Sequence, residues 1–165
     1  MTQTSVLETR FLSECLRGNP DAIAFVRSLF DAFHFWDDLI DRDNVLEDSD
    51  IDRNCYAMLV ELPMNPFWNA HRQVLMPLVI TAIHNWKLAN RTERNVEESS
   101  RDDKIVAFVI RSSYVDILVM CCHLIGGFSW AQAWAEKIRA VVHNEGFDGY
   151  LENLSKEKEL RDGML

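Results

Sequence analysis

The chain has 165 residues, of which 48% are hydrophobic and 26% charged, a composition typical of one soluble globular domain. Its formal net charge of −9 argues against nucleic acid and anionic membranes as partners, because both require a basic surface. The first residues show no signal-peptide pattern, and the most apolar stretch, 117–128, is too short to cross a bilayer. We therefore expect a cytoplasmic protein that binds neither nucleic acid nor membrane.

The first part of the chain carries clear helix-start signals. A capping box precedes a short helix predicted over residues 6–17, which Gly18 ends. Residues 19–21, Asn-Pro-Asp, combine an N-cap with a proline at the first helical position and an acid in the first turn. This pattern predicts the start of a long second helix that reaches about Asn44.

Two further helices follow. Ser49 is the predicted N-cap of a third helix, and Pro63 closes it. Residues 65–66, Asn-Pro, repeat the cap-plus-proline pattern and open a fourth helix that extends to about Asn90. Pro77 lies inside this fourth helix, so we expect a kink or a break there.

A polar stretch separates these helices from the most apolar part of the chain. Residues 91–103 predict an exposed, mobile loop. Ser100 and Asp103 form a capping box for the next helix, which is apolar on nearly all sides from residue 114 to 125, as in the central helix of a bundle. The pair Gly126-Gly127 ends that helix.

The remaining sequence predicts one more well-marked helix, opened by a capping box of Ser129 with Gln132. Residues 155–165 form a charged tail that we expect to be frayed. No stretch shows the alternation of a half-buried strand. The sequence therefore predicts an all-α fold, a single-domain bundle of about six helices over residues 1–165.

An acidic cluster at the end of the second helix is the main sequence clue to function. On a helical projection Asp37 lies in the middle of an apolar stripe, Asp41 lies about 6 Å further along the same face, and Asp38 lies at its edge. The stripe consists of Ile23, Val26, Phe30 and Phe33. A carboxylate there is costly unless it is paired, neutralised or bound to a metal. Asp37, Asp38 and Asp41 are therefore candidate Mg²⁺ ligands.

A second set of oxygen-bearing side chains, Asn144, Asp148 and Glu152, has a spacing of four residues. Its members would share one face if 144–152 is helical. Two facing helices with these two sets could hold Mg²⁺ ions around a substrate diphosphate. The alternative is a helix that ends at His143, with a C-cap at Asn144 and a glycine-containing turn after it.

Residues 34–42, His-Phe-Trp-Asp-Asp-Leu-Ile-Asp-Arg, resemble the first aspartate-rich motif of the class I isoprenoid synthases, the all-α prenyltransferases and terpene synthases. Asn144, Asp148 and Glu152 resemble the second metal motif of that superfamily, with Asp148 in place of a hydroxyl residue. The resemblance implies that both sets hold Mg²⁺ ions, which bind a prenyl diphosphate and trigger its ionisation. It also implies a diphosphate-sensing arginine, for which Arg101 is the candidate.

A second resemblance competes with the first. Residues 114–118, Tyr-Val-Asp-Ile-Leu, with Gly126-Gly127 and the helix after them, resemble the later helices of the all-α nucleotide pyrophosphohydrolases (MazG-like). This resemblance implies Mg²⁺-dependent hydrolysis of a nucleoside triphosphate to a monophosphate, with Asp116 as an alternative metal ligand. Without a metal role, Asp116 would form an ion pair with Arg111 or Arg139.

A third hypothesis involves no catalysis. The aspartate cluster would then be a helix end in solvent, and the protein would be a non-catalytic interaction protein whose acidic helix ends bind a partner. The many large apolar side chains exceed what one small bundle can bury, so we also expect an exposed apolar helical face and a homodimer. The four cysteines lack the spacing of a zinc site or a disulfide framework and are expected to be reduced core thiols.

Overall fold

The computed structural model describes residues 9–41, 45–142 and 146–163, with side chains for all of these except Asp41 and residues 157–163. The described helices are α1 (Thr9–Cys15), α2 (Pro20–Asp41), α3 (Asp48–Tyr56), α4 (Leu62–Met64), α5 (Pro66–Arg94), α6 (Arg101–Ile110), α7 (Val115–Gly126), α8 (Phe128–Val142) and α9 (Phe147–Gly163). A π-helical turn, Ala57–Glu61, joins α3 to α4. No strand occurs in the described residues, and the predicted all-α single-domain bundle is confirmed.

The long helices α2 and α5 lie side by side and run in the same direction. At their N-terminal ends, the Asn65 side chain accepts the Trp68 N–H and donates to the Asp21 carbonyl, each at 2.9 Å. At their C-terminal ends, the Arg94 guanidinium donates to the Ile40 carbonyl at 3.5 Å. The segment from α3 to α4 connects these two helices in the sequence and packs along α2. Asn65 therefore caps α5, as predicted, and also ties α5 to α2.

The most buried helix is α7, which confirms the prediction of an apolar central helix. Its fully buried side chains are Val115, Ile117, Leu118, Cys121 and Cys122. α8 folds back onto α7 after Gly127, whose φ of 77° suits glycine because it has no Cβ. Trp130 of α8 donates its indole N–H to the Cys15 carbonyl at 2.8 Å and so attaches α1 to this core.

Two of the predicted helix starts are confirmed by their hydrogen bonds. The Asn19 side chain accepts the Ala22 N–H at 3.0 Å at the start of α2. At the start of α6, Ser100 and Asp103 form the complete capping box, with both reciprocal hydrogen bonds present. In both cases an exposed or half-exposed polar side chain satisfies a backbone donor of its own first turn, which is a local interaction.

Two other predicted helix starts are wrong by two positions, because Glu47 and Gly127, rather than Ser49 and Ser129, directly precede the helices. α3 begins at Asp48, so Ser49 lies inside its first turn rather than at the N-cap. α8 begins at Phe128, directly after Gly127, so Ser129 also lies inside the first turn. In α8 the sharp change of chain direction at Gly127 determines where the helix starts, so Ser129 is not at the N-cap position.

The long helices extend further than predicted. α5 runs unbroken past Pro77 to Arg94, and the predicted break is wrong. Only residues 95–100 connect it to α6, so most of the predicted mobile loop, 91–103, is helical. α9 continues through Gly163, beyond residue 155, where a frayed tail was expected. Pro77 lies on the exposed side of α5, where the Thr81 hydroxyl donates to the Pro77 carbonyl at 2.9 Å.

Among the described residues, one segment, Arg101–Gly126, is long and apolar enough to cross a membrane by length and composition, and an 18-residue window within it has a mean hydropathy of 1.9. This segment exceeds the stretch 117–128 that the sequence alone suggested. In the fold it consists of α6 and α7 with a helical turn, 111–114, between them. A buried core helix passes the same test, and α7 has five fully buried side chains.

Candidate functional site

The C-terminal turns of α2 bring Asp37 against α5. The Trp86 indole N–H donates to Asp37 Oδ1 at 3.1 Å, and the Trp36 and Trp86 rings lie 5.1 Å apart. Asp37 and Asp38 are both half-buried, while Trp86 is buried. A hydrogen bond from a buried donor lowers the cost of holding a carboxylate partly out of water. The sequence placed Asp37 in the middle of the apolar stripe of α2, and the structure leaves it half-buried with the buried Trp86 as its hydrogen-bond donor.

Tyr114 is the last residue of the 111–114 turn between α6 and α7, and its side chain packs against α2. Its ring packs against Phe30 at 4.8 Å and Phe33 at 5.9 Å. Burial raises the pKa of Tyr114, and the Asp37 carboxylate raises it further, whereas the Arg111 guanidinium lowers it. The Tyr114 hydroxyl thus lies within the electrostatic influence of both an acid on α2 and a base in the 111–114 turn.

Arg111 also contacts a second acidic group, Glu93 in the last turns of α5. The Arg111 Nη1 lies 3.8 Å from Glu93 Oε1, and the Glu93 side chain is only 15% exposed. The buried Tyr150 of α9 donates its hydroxyl to the same Glu93 oxygen at 2.8 Å. The guanidinium lies 5.3 Å from the centre of the Tyr150 ring. This arrangement combines an ion pair, a charge-assisted hydrogen bond and a cation–π contact.

Two groups of contacts, Asp37 with Trp86 and Glu93 with Arg111 and Tyr150, lie at the ends of α2, α5 and α9 and at the 111–114 turn. Charges from both groups act on the pKa of Tyr114, and we call the whole region the helix junction. Its members are Asp37, Asp38, Trp86, Glu93, Arg111, Tyr114 and Tyr150. His34 lies at its edge, with its ring 6.4 Å from that of Tyr114. Burial lowers the pKa of His34, although the nearby Asp31 and Asp38 carboxylates oppose this effect. The junction is therefore acidic and aromatic, with one arginine inside it.

The second predicted metal set is described only in part, because Asn144 lies outside the described residues. Gly146 is not helical and α9 begins at Phe147, so Asp148 lies in the first turn of α9. Asp148 and Glu152 are exposed, one turn apart on α9. The buried Tyr150 points to the opposite side, toward Glu93. Only this inner face of α9 takes part in the helix junction.

Among the described residues, no three His, Cys, Asp or Glu side chains come together as a metal site. The side chain of Asp41, the last residue of α2, lies outside that description, as does Asn144. The metal roles of Asp37, Asp38, Asp41, Asn144, Asp148 and Glu152 therefore stay predictions.

The predicted diphosphate arginine, Arg101, lies away from the acidic cluster. It is the first residue of α6, is exposed, and holds its guanidinium 5.7 Å from the centre of the Phe147 ring at the start of α9. Arg111, and not Arg101, is the arginine that the structure brings to the helix junction.

The alternative ligand Asp116 is exposed in the first turn of α7 and forms an ion pair with Arg139 of α8. Arg139 is one of the two partners that the sequence suggested for it. Its metal role stays a prediction.

Sequence reasoning missed most of the helix junction. Glu93 was assigned to a mobile loop and Tyr114 to the start of the apolar central helix, and neither Trp86 nor Tyr150 was named as a site residue. A signal for the 111–114 turn is present, because two serines follow Arg111 inside an otherwise apolar segment. The hydroxyls of Ser112 and Ser113 donate to the carbonyls of Val109 and Ile110, at 3.3 and 2.7 Å. Serine competes for backbone groups in this way where a helix is interrupted.

Comparisons with protein families, with curated proteins and with solved structures find no match to this chain.

Proposed function

We propose that the protein is a Mg²⁺-dependent enzyme that acts on a diphosphate-bearing substrate at the helix junction. Asp37, Asp38 and Asp41 would hold the metal, and Arg111 would face the phosphates. The observation that carries the proposal is that the half-buried Asp37 carboxylate and the Arg111 guanidinium act in opposite directions on the pKa of one half-buried tyrosine, Tyr114, whose ring packs against α2. An anionic substrate bridged to carboxylates by a cation needs this combination of opposite charges in a partly desolvated site.

Magnesium suits such a site even though few protein ligands converge there. Mg²⁺ keeps several of its waters and is usually held by one or two carboxylates together with substrate phosphates. By helical spacing, Asp37 and Asp41 would offer two carboxylates one turn apart along the same helix. The cation would supply charge stabilisation to the departing or attacked phosphate, and the residues of the junction would position it.

The aromatic surroundings favour isoprenoid-synthase-like chemistry over nucleotide hydrolysis. Trp36, Trp86, Tyr114 and Phe33 lie around the acidic end of α2. Aromatic faces accommodate an apolar tail and stabilise positive charge that develops on carbon. The pyrophosphohydrolase alternative relies on Asp116, whose carboxylate is engaged by Arg139 on the α7–α8 pair. We therefore place a prenyl diphosphate ahead of a nucleoside triphosphate as the substrate.

Thermal unfolding with and without Mg²⁺ or Mn²⁺ tests the metal site. A ligand that binds only the folded state, at a hundred times its Kd, adds about 2.7 kcal/mol of stability. For a protein of this size that gain corresponds to a rise in Tm of about 5–10 °C. Asp37→Asn combined with Asp41→Asn should abolish the rise, whereas Asp31→Asn, an exposed change on the same helix, should preserve it. A full rise in the double variant would exclude these aspartates as ligands.

Substrate preference tests the reaction class. We would measure Mg²⁺-dependent binding and pyrophosphate release with geranyl and farnesyl diphosphate, beside a panel of nucleoside triphosphates. The proposal predicts binding of the allylic diphosphates and loss of that binding in Arg111→Gln, with Arg101→Gln as the matched control. Selective turnover of a nucleotide would instead support the pyrophosphohydrolase alternative. An absence of metal-dependent binding with every substrate would leave the non-catalytic interaction protein as the surviving hypothesis.

A further inference from the structure

The outer side of the segment from α3 to α4 exposes unusually large apolar side chains. Tyr56 is 58% exposed, Leu59 is 76% exposed and Met64 is 73% exposed. Asp48 and Asp52 are exposed on the preceding turns. We call these five residues the α3 face. Its N-terminal half is acidic and its C-terminal half is apolar.

The segment that carries this face is only shallowly attached to the bundle. None of its residues from Asp48 to Met64 is fully buried. Its inner contacts are with α2, and a nine-residue helix such as α3 is marginally stable without tertiary support. A segment of this kind usually turns its largest apolar side chains inward, yet here Leu59 and Met64 point outward. An apolar partner would bury them and stabilise the segment.

The charge around the face is strongly one-sided. Residues 45–64 contain five acidic side chains and one basic side chain, a net charge of −4 out of −9 for the whole chain. The acidic residues are Glu47, Asp48, Asp50, Asp52 and Glu61. The single arginine, Arg53, pairs with Asp50 at 2.9 Å. The exposed apolar side chains therefore belong to a segment with a net negative charge.

We propose that the α3 face docks a basic amphipathic helix of another protein. Such a helix offers apolar anchors to Tyr56, Leu59 and Met64, and lysine or arginine to the acidic residues beside them. A second copy of this chain is the wrong occupant, because a two-fold contact would place the same negative patch against itself. An anionic lipid surface is repelled for the same reason.

A synthetic peptide provides the probe for the apolar half. We would label an 18-residue amphipathic helix of leucine and lysine and follow its binding to the full chain by fluorescence anisotropy. A peptide with glutamate in place of lysine should bind at least tenfold more weakly. Leu59→Ser with Met64→Ser should weaken the lysine peptide at least tenfold. Val106→Ser with Val109→Ser is the matched control, because these residues are 50% and 51% exposed on α6, and it should leave the affinity unchanged.

Two further measurements locate the contact. Asp48→Asn with Asp52→Asn should weaken peptide binding and reduce its dependence on salt concentration. Glu98→Gln with Glu136→Gln removes the same amount of charge elsewhere and should leave the binding unchanged. Hydrogen exchange with bound peptide should protect residues 48–64 if the proposal is right. Hydrogen exchange also shows whether each variant remains folded before its affinity is compared.

Three results would overturn the proposal. Equal weakening by the α3 and α6 variants would indicate non-specific attraction to an acidic protein. A change in the sedimentation coefficient of the protein alone in the Leu59 and Met64 variant would assign the face to a second copy. Binding to phosphatidylcholine and phosphatidylglycerol vesicles that is lost in the same variant would assign the face to lipid.

Discussion

The hydrogen bond from Tyr150 to Glu93 should anchor α9, and Tyr150→Phe tests this. The change removes only the hydroxyl, so the aromatic packing and the stacking of Arg111 remain. A hydrogen bond to a charged group contributes about 1.5–3 kcal/mol. The Glu93 side chain is 15% exposed, and in the variant it still has Arg111 at 3.8 Å. Because its charge remains paired, the lower end of this energy range applies. We expect a loss of about 1.5 kcal/mol.

Urea unfolding monitored by circular dichroism measures this loss, and a Tm decrease of about 3–6 °C should accompany it. Tyr56→Phe provides the control, since Tyr56 is exposed on α3 and its hydroxyl should contribute less than about 0.5 kcal/mol. Hydrogen exchange of the α9 amides shows whether the loss is local to α9 or global.

A double-mutant cycle separates the hydrogen bond from other effects. In a Glu93→Ala background the Tyr150 hydroxyl has no carboxylate to bond, so Tyr150→Phe should no longer destabilise the protein. The same loss in both backgrounds, or a loss of less than about 0.5 kcal/mol in the parent, would show that this contact does not anchor α9.

Three further predictions follow from single features of the fold. Burial holds the pKa of His34 below its ordinary 6.5. As the pH falls below that value, the unfolded chain gains a proton before the folded chain does, so the free energy of unfolding should decline until the folded-state pKa is reached. His34→Gln should remove this part of the pH dependence of stability, measured by urea titrations. Gly126→Ala should destabilise the protein by about 1–3 kcal/mol in thermal unfolding, because the new methyl group would overlap the base of the Trp130 side chain. The exposed apolar side chains of α5, Val74 and Ile80 among them, predict a homodimer, and a monomer at all micromolar concentrations in light scattering would contradict it.

Local signals in the sequence identified the helices well where the stabilising contact is also local. The caps at Asn19, Asn65 and Ser100 each satisfy a backbone donor within three residues, so the sequence pattern contains the whole interaction. The same holds for the end of α7 at Gly126-Gly127, where a positive φ is needed within one turn. Composition and periodicity were sufficient for the fold class for the same reason.

The sequence was less informative where two local signals conflict, or where a contact with a residue distant in the sequence determines the local structure. Pro77 lies on the exposed side of α5, and the packing of Leu75, Ala82 and Trp86 on the other side keeps the helix continuous. The polar stretch after residue 90 continues α5 to Arg94, because Glu93 and Arg94 find partners on α9 and α2. Neither partner is close to them in the sequence, and no local pattern reveals such contacts.

By itself, the sequence determined an all-α bundle with an acidic cluster on one face of α2, because helical periodicity and capping are short-range properties. The helix junction was decided by tertiary structure alone. Trp86, Arg111 and Tyr150 come from three different helices or turns, and the chain must fold before their distances to Asp37 and Glu93 are defined. The orientation of α9 was likewise decided by tertiary structure, since α9 packs its Tyr150 side inward and leaves Asp148 in solvent.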